Sequence, residues 1–194
     1  MKVEDRGVKF PLTPGHEVAG IVEDVGETVM GFQKGDQIIV YPWIGEGLCP
    51  ACRVCEEHLC DSPRTLGIYQ DGGYSETILV PSYKYLIKID GLDMESTASL
   101  ACSGLTAYTA VKKTHVQAGD TMVIVGAGGL GLMAVQLAKA ITNSRVVIVD
   151  INDNKLQEAK KLGADEVINS SSADPSDAIK DITAGLGSEA VLIL

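Results

Sequence analysis

A chain of 194 residues that is 45% hydrophobic and 22% charged can bury a sizeable core, as one domain or as two small ones. Its net charge of −10 and the lack of any Lys/Arg cluster exclude a nucleic-acid surface, which needs a basic face. No apolar run reaches the ~18 residues of a membrane span, and Met1-Lys2-Val3-Glu4-Asp5-Arg6 lacks the apolar stretch of a signal peptide, so the expectation is a cytoplasmic protein with no membrane partner.

From Lys2 to about Ile89 short apolar pieces alternate with glycine turns: Val18 to Val25, Gln37 to Val40, Ser75 to Val80 and Tyr85 to Ile89. Gly26, Gly31, Gly35 with Asp36, and Gly72 with Gly73 supply the turns. This spacing predicts a β-rich, barrel-like domain over residues 1–92. The character changes near Asp93. Residues from Asp93 to Ala101 and from Ser103 to Lys113 are rich in Ala and Leu and predict helices, with Ser96 or Ser103 as N-caps.

From Thr121 onward strands and helices alternate. The pattern predicts strands at Thr121 to Val125, Arg145 to Val149, Glu166 to Ile168 and Ala190 to Leu194. It predicts helices at Gly129 to Ala140, Lys155 to Leu162 and Pro175 to Thr183. Val146-Val147-Ile148-Val149 is uninterrupted apolar sequence, as a strand buried on both faces of a parallel sheet requires. Right-handed β-α-β crossovers then make residues 93–194 a doubly wound α/β domain. A complete domain of this kind commonly has about six strands. The pattern here ends inside its fourth, so the chain is expected to be a fragment.

Three constellations carry chemistry. Gly126, Gly128 and Gly131 stand in G-x-G-x-x-G order between a strand and a helix, with Gly129 and Leu130 at the turn. Such glycines allow a tight turn, close approach of backbone to a pyrophosphate, and packing of the helix on the strand. Asp150 closes the second strand 19 positions after Gly131, near the ~20-residue distance at which a carboxylate reaches an adenosine ribose. A carboxylate there repels a 2′-phosphate, which favours NAD over NADP. The competing reading makes Asp150 a helix N-cap, which leaves the glycines unexplained.

The second constellation is Glu46-Gly47-Leu48-Cys49-Pro50-Ala51-Cys52-Arg53-Val54-Cys55-Glu56-Glu57-His58-Leu59-Cys60. Thiolates separated by two residues can turn towards one ion, and a closed set of four suits structural zinc. Two sets fit the spacing: Cys49, Cys52, Cys55 and Cys60, or Glu46, Cys49, Cys52 and Cys60. The third constellation is His16 with Glu17 in Pro14-Gly15-His16-Glu17, and the isolated Cys102. Taken alone, His16 and Glu17 read as a satisfied pair and Cys102 as a small buried hydrophobe. His58, His115 and Trp43 read as loop, helix-end and packing residues.

Five segments occur in the order found in the zinc-dependent medium-chain alcohol dehydrogenases, which the chain resembles over nearly its whole length. They are Gly15-His16-Glu17, the Glu46 to Cys60 lobe, Asp71-Gly72-Gly73-Tyr74-Ser75-Glu76, Ala101-Cys102-Ser103-Gly104-Leu105-Thr106 and Gly126 to Gly131. The lobe is particularly similar to that of archaeal NAD-dependent members, in which glutamate replaces one structural-zinc cysteine. The resemblance implies a GroES-like barrel domain followed by a Rossmann-type sheet, both incomplete. It implies structural zinc on Glu46, Cys49, Cys52 and Cys60, with Cys55 as the alternate, and catalytic zinc on His16 and Cys102, with Glu17 beside them or exchanging as ligand.

It further implies that Thr106 contacts the nicotinamide and that Lys155 helps Asp150 hold the ribose. The implied reaction transfers hydride between an alcohol and NAD, giving an aldehyde or ketone, in a cleft between two domains of a homodimer or homotetramer. Related polyol, threonine and aromatic-alcohol dehydrogenases share the same motifs. Family members carry a further ligand cysteine upstream of Gly-His-Glu, and no Cys precedes His16 here. The expectation is therefore one zinc bound tightly, a second bound poorly, little alcohol oxidation, and an exposed last strand prone to association.

Overall fold

In a computed structural model, residues 7–194 are described. The start of the β-rich stretch expected from Lys2 lies outside them. The chain divides into two compact units, the first ending at Cys102 and the second comprising Ser103–Leu194.

The first unit contains strands β1 (Val18–Ile21) and β2 (Gln37–Val40), a helical turn α1 (Pro50–Arg53), strand β3 (Leu86–Lys88) and a short helix α2 (Met94–Thr97). The strands form an antiparallel sheet in the order β1-β2-β3, with Val18 opposite Val40 and Ile39 opposite Ile87. β2 alternates its side chains between two apolar clusters. Ile38 and Val40 pack with Val22, Ile44, Leu66 and Tyr85, while Ile39 packs with Ile89 and Ala101.

The sequence pattern differs from the structure in four places here. The first strand ends at Ile21, because Val22 pairs through its backbone with Gly35 and Asp36 in a turn instead of continuing the ladder. Ser75 to Val80 forms no regular strand, although Ile78 and Val80 do pack against the core. The helix expected from Asp93 to Ala101 is split into α2 and a 3-10 turn at Ala98–Ala101. Its N-cap is Asp93, whose carboxylate accepts the N–H of Ser96, so Ser96 is the capped residue and not the cap.

The second unit begins with helix α3 (Ser103–Thr114), in which Ser103 is already helical. It continues with β4 (Thr121–Val125), α4 (Gly129–Ile141), β5 (Arg145–Asp150), α5 (Asp153–Lys161), β6 (Glu166–Asn169), α6 (Pro175–Ile182) and β7 (Ala190–Ile193). The four strands are parallel in the order β6-β5-β4-β7, the arrangement of a doubly wound sheet. β5 lies second in that order, and Val146, Val147 and Ile148 are wholly buried, each contributing about 1.5–3 kcal/mol of hydrophobic stabilisation.

One face of the sheet, through Met122, Ile124, Val146 and Ile148, packs on Ala107 and Val111 of α3, Ala134, Val135 and Ala138 of α4, and Leu156 and Ala159 of α5. The opposite face, through Val123, Val147 and Val149, receives Ala178, Ile179 and Ile182 of α6. Because the chain leaves β6 and returns on the far side of β4, strand order reverses at β4. In open α/β sheets the ligand crevice lies at such a reversal, outside the carboxyl ends of the strands, and here the glycine turn follows β4 directly.

Candidate metal and dinucleotide sites

His16 is fixed by backbone pairing. Gly72 N–H donates to the Thr13 carbonyl (2.8 Å), Gly73 N–H to the Gly15 carbonyl (2.8 Å) and Tyr74 N–H to the Pro14 carbonyl (3.0 Å). The Asp71 carboxylate accepts the Thr13 N–H at 2.8 Å. A side chain at Gly72 would collide with the Gly15 carbonyl, so the Asp71-Gly72-Gly73 motif acts as a platform for the segment carrying His16. At its end the His16 Nε2 lies 3.3 Å from Cys102 Sγ. Tetrahedral zinc with nitrogen at about 2.0–2.1 Å and sulfur at about 2.3 Å would set that edge near ~3.6 Å, so the pair fits one edge of such a shell.

Burial raises the pKa of the Cys102 thiol above its ordinary value, and the adjacent Glu17 carboxylate raises it further through its charge and a hydrogen bond. A cation between these groups would reverse that effect and draw the thiol to thiolate. Trp43, read from sequence as a packing residue, sits beside His16. Its ring centroid is 5.7 Å from that of His16 and its Nε1 donates to the Ala101 carbonyl at 3.3 Å.

The zinc-lobe residues converge more completely. Ligand atoms of Glu46, Cys49, Cys52 and Cys60 all lie within 4.8 Å of one another, and among the described residues this is the group of three or more metal-type donors that does so. Cys49 Sγ is 3.5 Å from Cys52 Sγ and 3.8 Å from Cys60 Sγ. A tetrahedral shell of sulfur at about 2.3 Å has edges of about 3.8 Å. Cys55, in the left-handed region at φ 63° and exposed, stands outside the cluster. It ends the turn begun by α1, and its backbone faces the Cys52 carbonyl.

Electrostatics in the lobe favour anionic ligands on one arm. The Glu46 carboxylate is held below its ordinary pKa chiefly by the Cys49 N–H, with a smaller contribution from the charge of Arg64. Cys60 is lowered by the Glu46 N–H and, after the opposing effect of burial, by the Ser62 N–H, each N–H at 3.4 Å. Burial pushes the Cys52 thiol up to about 11, so it ionises only with a cation beside it.

In the second unit the Gly126 N–H continues the sheet to the Val149 carbonyl (2.8 Å), and Gly126 itself has φ 102°. Gly131 lies so close to the Gly126 carbonyl that any side chain there would collide with it, which brings α4 tightly onto β4. Gly128 and Gly129 have open space where a side chain would be. Gly129 and Leu130 begin α4, whose N-cap Gly128 offers no side chain to its first N–H groups.

Asp150 ends β5 and reaches across to this turn, where its Oδ2 accepts the Ala127 N–H at 2.7 Å and its Oδ1 accepts the Asn152 N–H at 2.9 Å. The Ala127 bond is the largest cause of its lowered pKa. Burial opposes the shift, and Asn152 and the charge of Lys155 add to it. The cap of α5 is Asn152, which accepts from Asn154 and Lys155, so Asp150 is not the helix cap. Thr106 lies within α3, three residues after Ser103.

Comparison with known proteins agrees with both halves. The family model for the alcohol dehydrogenase GroES-like domain matches residues 1–91, and that for zinc-binding dehydrogenases matches residues 129–193. An NAD-dependent alcohol dehydrogenase of Sulfurisphaera tokodaii is 53% identical over 193 residues, and one of Saccharolobus solfataricus is 51% identical over the same length. In both cases the match covers 99% of this chain and 56% of the relative, so the chain spans little more than half the length of these proteins.

Among solved structures, the alcohol dehydrogenase of Aeropyrum pernix superposes with a TM-score of 0.86 at 38% identity, over 95% of this chain and 55% of the other. The D-arabinose dehydrogenase of Sulfolobus solfataricus does so with a TM-score of 0.90 at 31% identity, over 97% and 59%. No helix among the described residues is long and apolar enough to cross a membrane. With both of its units matched and half of its residues shared with named members, the chain belongs to the zinc-dependent medium-chain alcohol dehydrogenase family.

Proposed function

We propose that this chain forms the zinc- and NAD-binding part of an alcohol dehydrogenase, in which a hydride passes between an alcohol carbon and the nicotinamide and a proton is released. The observation that carries this reading is the approach of His16 Nε2 to Cys102 Sγ with Glu17 alongside. His16 and Cys102 hold the catalytic zinc, with Glu17 orienting or exchanging with them. Glu46, Cys49, Cys52 and Cys60 hold the structural zinc. Zinc at the first site supplies Lewis acidity towards an alcohol oxygen, and NAD supplies the hydride acceptor.

The chain's own residues then divide the work of holding the cofactor. Gly126, Gly128 and Gly131 let the backbone approach the pyrophosphate, and the first N–H groups of α4, from Gly129 and Leu130, point at its charge. Each Asp150 oxygen has used one acceptor position on a backbone N–H and keeps another for a ribose hydroxyl. Its negative charge opposes a 2′-phosphate, which selects NAD. Lys155 neutralises part of that charge at the ribose edge, and Thr106 contacts the nicotinamide.

A group of four converging donors holds zinc more firmly than a pair with a neighbouring carboxylate. Zinc is therefore retained at the lobe through dialysis and must be supplied for the His16 site. The test is NADH formation in the presence of added zinc with primary, secondary and aromatic alcohols, polyols and D-arabinose. The reading predicts slow, zinc-dependent NADH formation with at least one of them, and no NADH from any would contradict it.

A further inference from the structure

The four-donor cluster takes Glu46 from one arm of the chain and Cys60 from another, and one residue touches the backbone next to both. Glu57, in a 3-10 turn at Glu57–Leu59, accepts the Gly45 N–H on Oε2 at 2.9 Å, and its carbonyl accepts the Cys60 N–H at 3.1 Å. Gly45 is pressed against Cys52 and Glu57. A side chain there would collide with Cys52 Sγ and lie 3.2 Å from Glu57 Cβ. The spacing of this glycine from its neighbours therefore sets where Glu46 begins.

The same carboxylate is fastened to the rest of the unit. Its Oε2 also accepts the Tyr85 hydroxyl at 2.6 Å, and Oε1 accepts the Lys84 ammonium at 2.6 Å. Its side chain is only 12% exposed, and Tyr85 is itself part of the apolar core on β2. A surface glutamate in a loop would face water, whereas this one has exchanged water for three donors from two distant segments.

We propose that Glu57 is a positioning residue for the zinc lobe, holding the Gly45-Glu46 arm and the Cys60 arm at the separation one ion requires and tying both to the turn that enters β3. The proposal rests on the reading of Glu46, Cys49, Cys52 and Cys60 as a zinc site. Glu57 is not one of the four donors and acts through backbone and core. Outer-shell partners of metal ligands typically change affinity by roughly ten- to a hundredfold when removed.

The test follows zinc release from the zinc-loaded full chain into excess chelator, read with a zinc-binding dye, together with the visible spectrum of the cobalt-substituted protein. Read in a Cys102→Ala background, where the His16 site has no thiolate, the thiolate absorption of cobalt marks the three-cysteine lobe. Glu57→Gln and Glu57→Ala are expected to release lobe zinc roughly ten- to a hundredfold faster and to shift the cobalt spectrum. Tyr85→Phe, which removes a single donor, moves both in the same direction by less and serves if the Glu57 variants do not accumulate. Unchanged release, or faster release with an unaltered cobalt spectrum, overturns the proposal, since loss of general stability would leave the spectrum of folded protein intact. A cobalt spectrum of the Cys102→Ala background without thiolate absorption would instead overturn the zinc reading of the lobe itself.

Discussion

His16 Nε2 and Cys102 Sγ stand 3.3 Å apart although 86 positions separate them in the chain. Two different devices create that approach. His16 is placed by the glycine platform at Asp71-Gly72-Gly73, and Cys102 by the 3-10 turn Ala98–Ala101, whose Ser99 carbonyl accepts its N–H. Trp43 spans the two, with its ring beside His16 and its N–H on Ala101.

Trp43 is the chain's one tryptophan, so its emission reports on this pair. Titration with cobalt, which quenches nearby indole fluorescence, is expected to lower the emission in wild type. The response disappears in Cys102→Ala and persists in Cys49→Ala. Equal quenching in wild type and Cys102→Ala would separate the metal from this pair.

The glycine turn makes a contrast between neighbours. Gly131→Ala drives a methyl into the Gly126 carbonyl and is expected to cost about 1–3 kcal/mol in denaturant unfolding. It also weakens NADH binding tenfold or more. Gly129→Ala meets open space on a helix, so stability holds or rises slightly; on the proposed reading NADH binding falls, because the methyl would occupy the approach to the pyrophosphate. Fluorescence titration with NADH and urea melts of both variants check the pair of outcomes.

On the proposed reading Asp150 serves the loop and the cofactor together, which limits simple changes of specificity. Asp150→Ser removes the charge that opposes a 2′-phosphate but also removes the acceptor for Ala127 N–H. Binding of NADH is expected to weaken by roughly tenfold or more, since charged hydrogen bonds contribute about 1.5–3 kcal/mol each. NADPH gains less than NADH loses. Dissociation constants for both cofactors decide it, and a variant binding NADPH as tightly as wild type binds NADH would contradict the coupling.

A pH effect is expected away from either proposed metal site. Burial raises the pKa of Asp165, but the Val146 N–H at 2.7 Å and the Lys139 ammonium at 2.9 Å outweigh it and leave the pKa below the ordinary carboxylate value. The folded form therefore prefers the ionised group. The stability it contributes is complete above the unfolded pKa near ~4 and is lost as pH falls through the lower folded value. Both side chains are about one-third exposed, so Asp165→Asn should cost only ~1 kcal/mol at pH 7. That difference should shrink as pH falls below about 4 in parallel urea melts of the two proteins.

Much of the second unit was legible because its signals are local. The apolar run of β5, the glycines after β4, and the buried stripe Gly131, Ala134, Val135 and Ala138 of α4 each lie within a dozen residues and follow the periods of their elements. The first unit is held by partners distant in sequence, and there local pattern misled. Ser75 to Val80 has a strand's composition but no ladder partner among the described residues, and the platform role of Asp71-Gly72-Gly73 depends on Thr13 and Gly15.

Glu57 has the same character. It reads as one more charge in a polar loop until Gly45, Lys84 and Tyr85, from 12 to 28 positions away, are seen to converge on it. The spacing of the lobe cysteines left Cys55 and Glu46 as equals. What separates them in the folded chain is backbone conformation, since the left-handed turn at Cys55 directs it away from the cluster that includes Glu46.

The most direct measurement is alcohol-dependent NADH formation by wild type, His16→Ala and Cys102→Ala, with zinc titrated into each. The account predicts NADH formation that rises with zinc in wild type and is lost in both variants, while the lobe zinc is retained in all three. Zinc-independent NADH formation, or equal rates in wild type and Cys102→Ala, would contradict it.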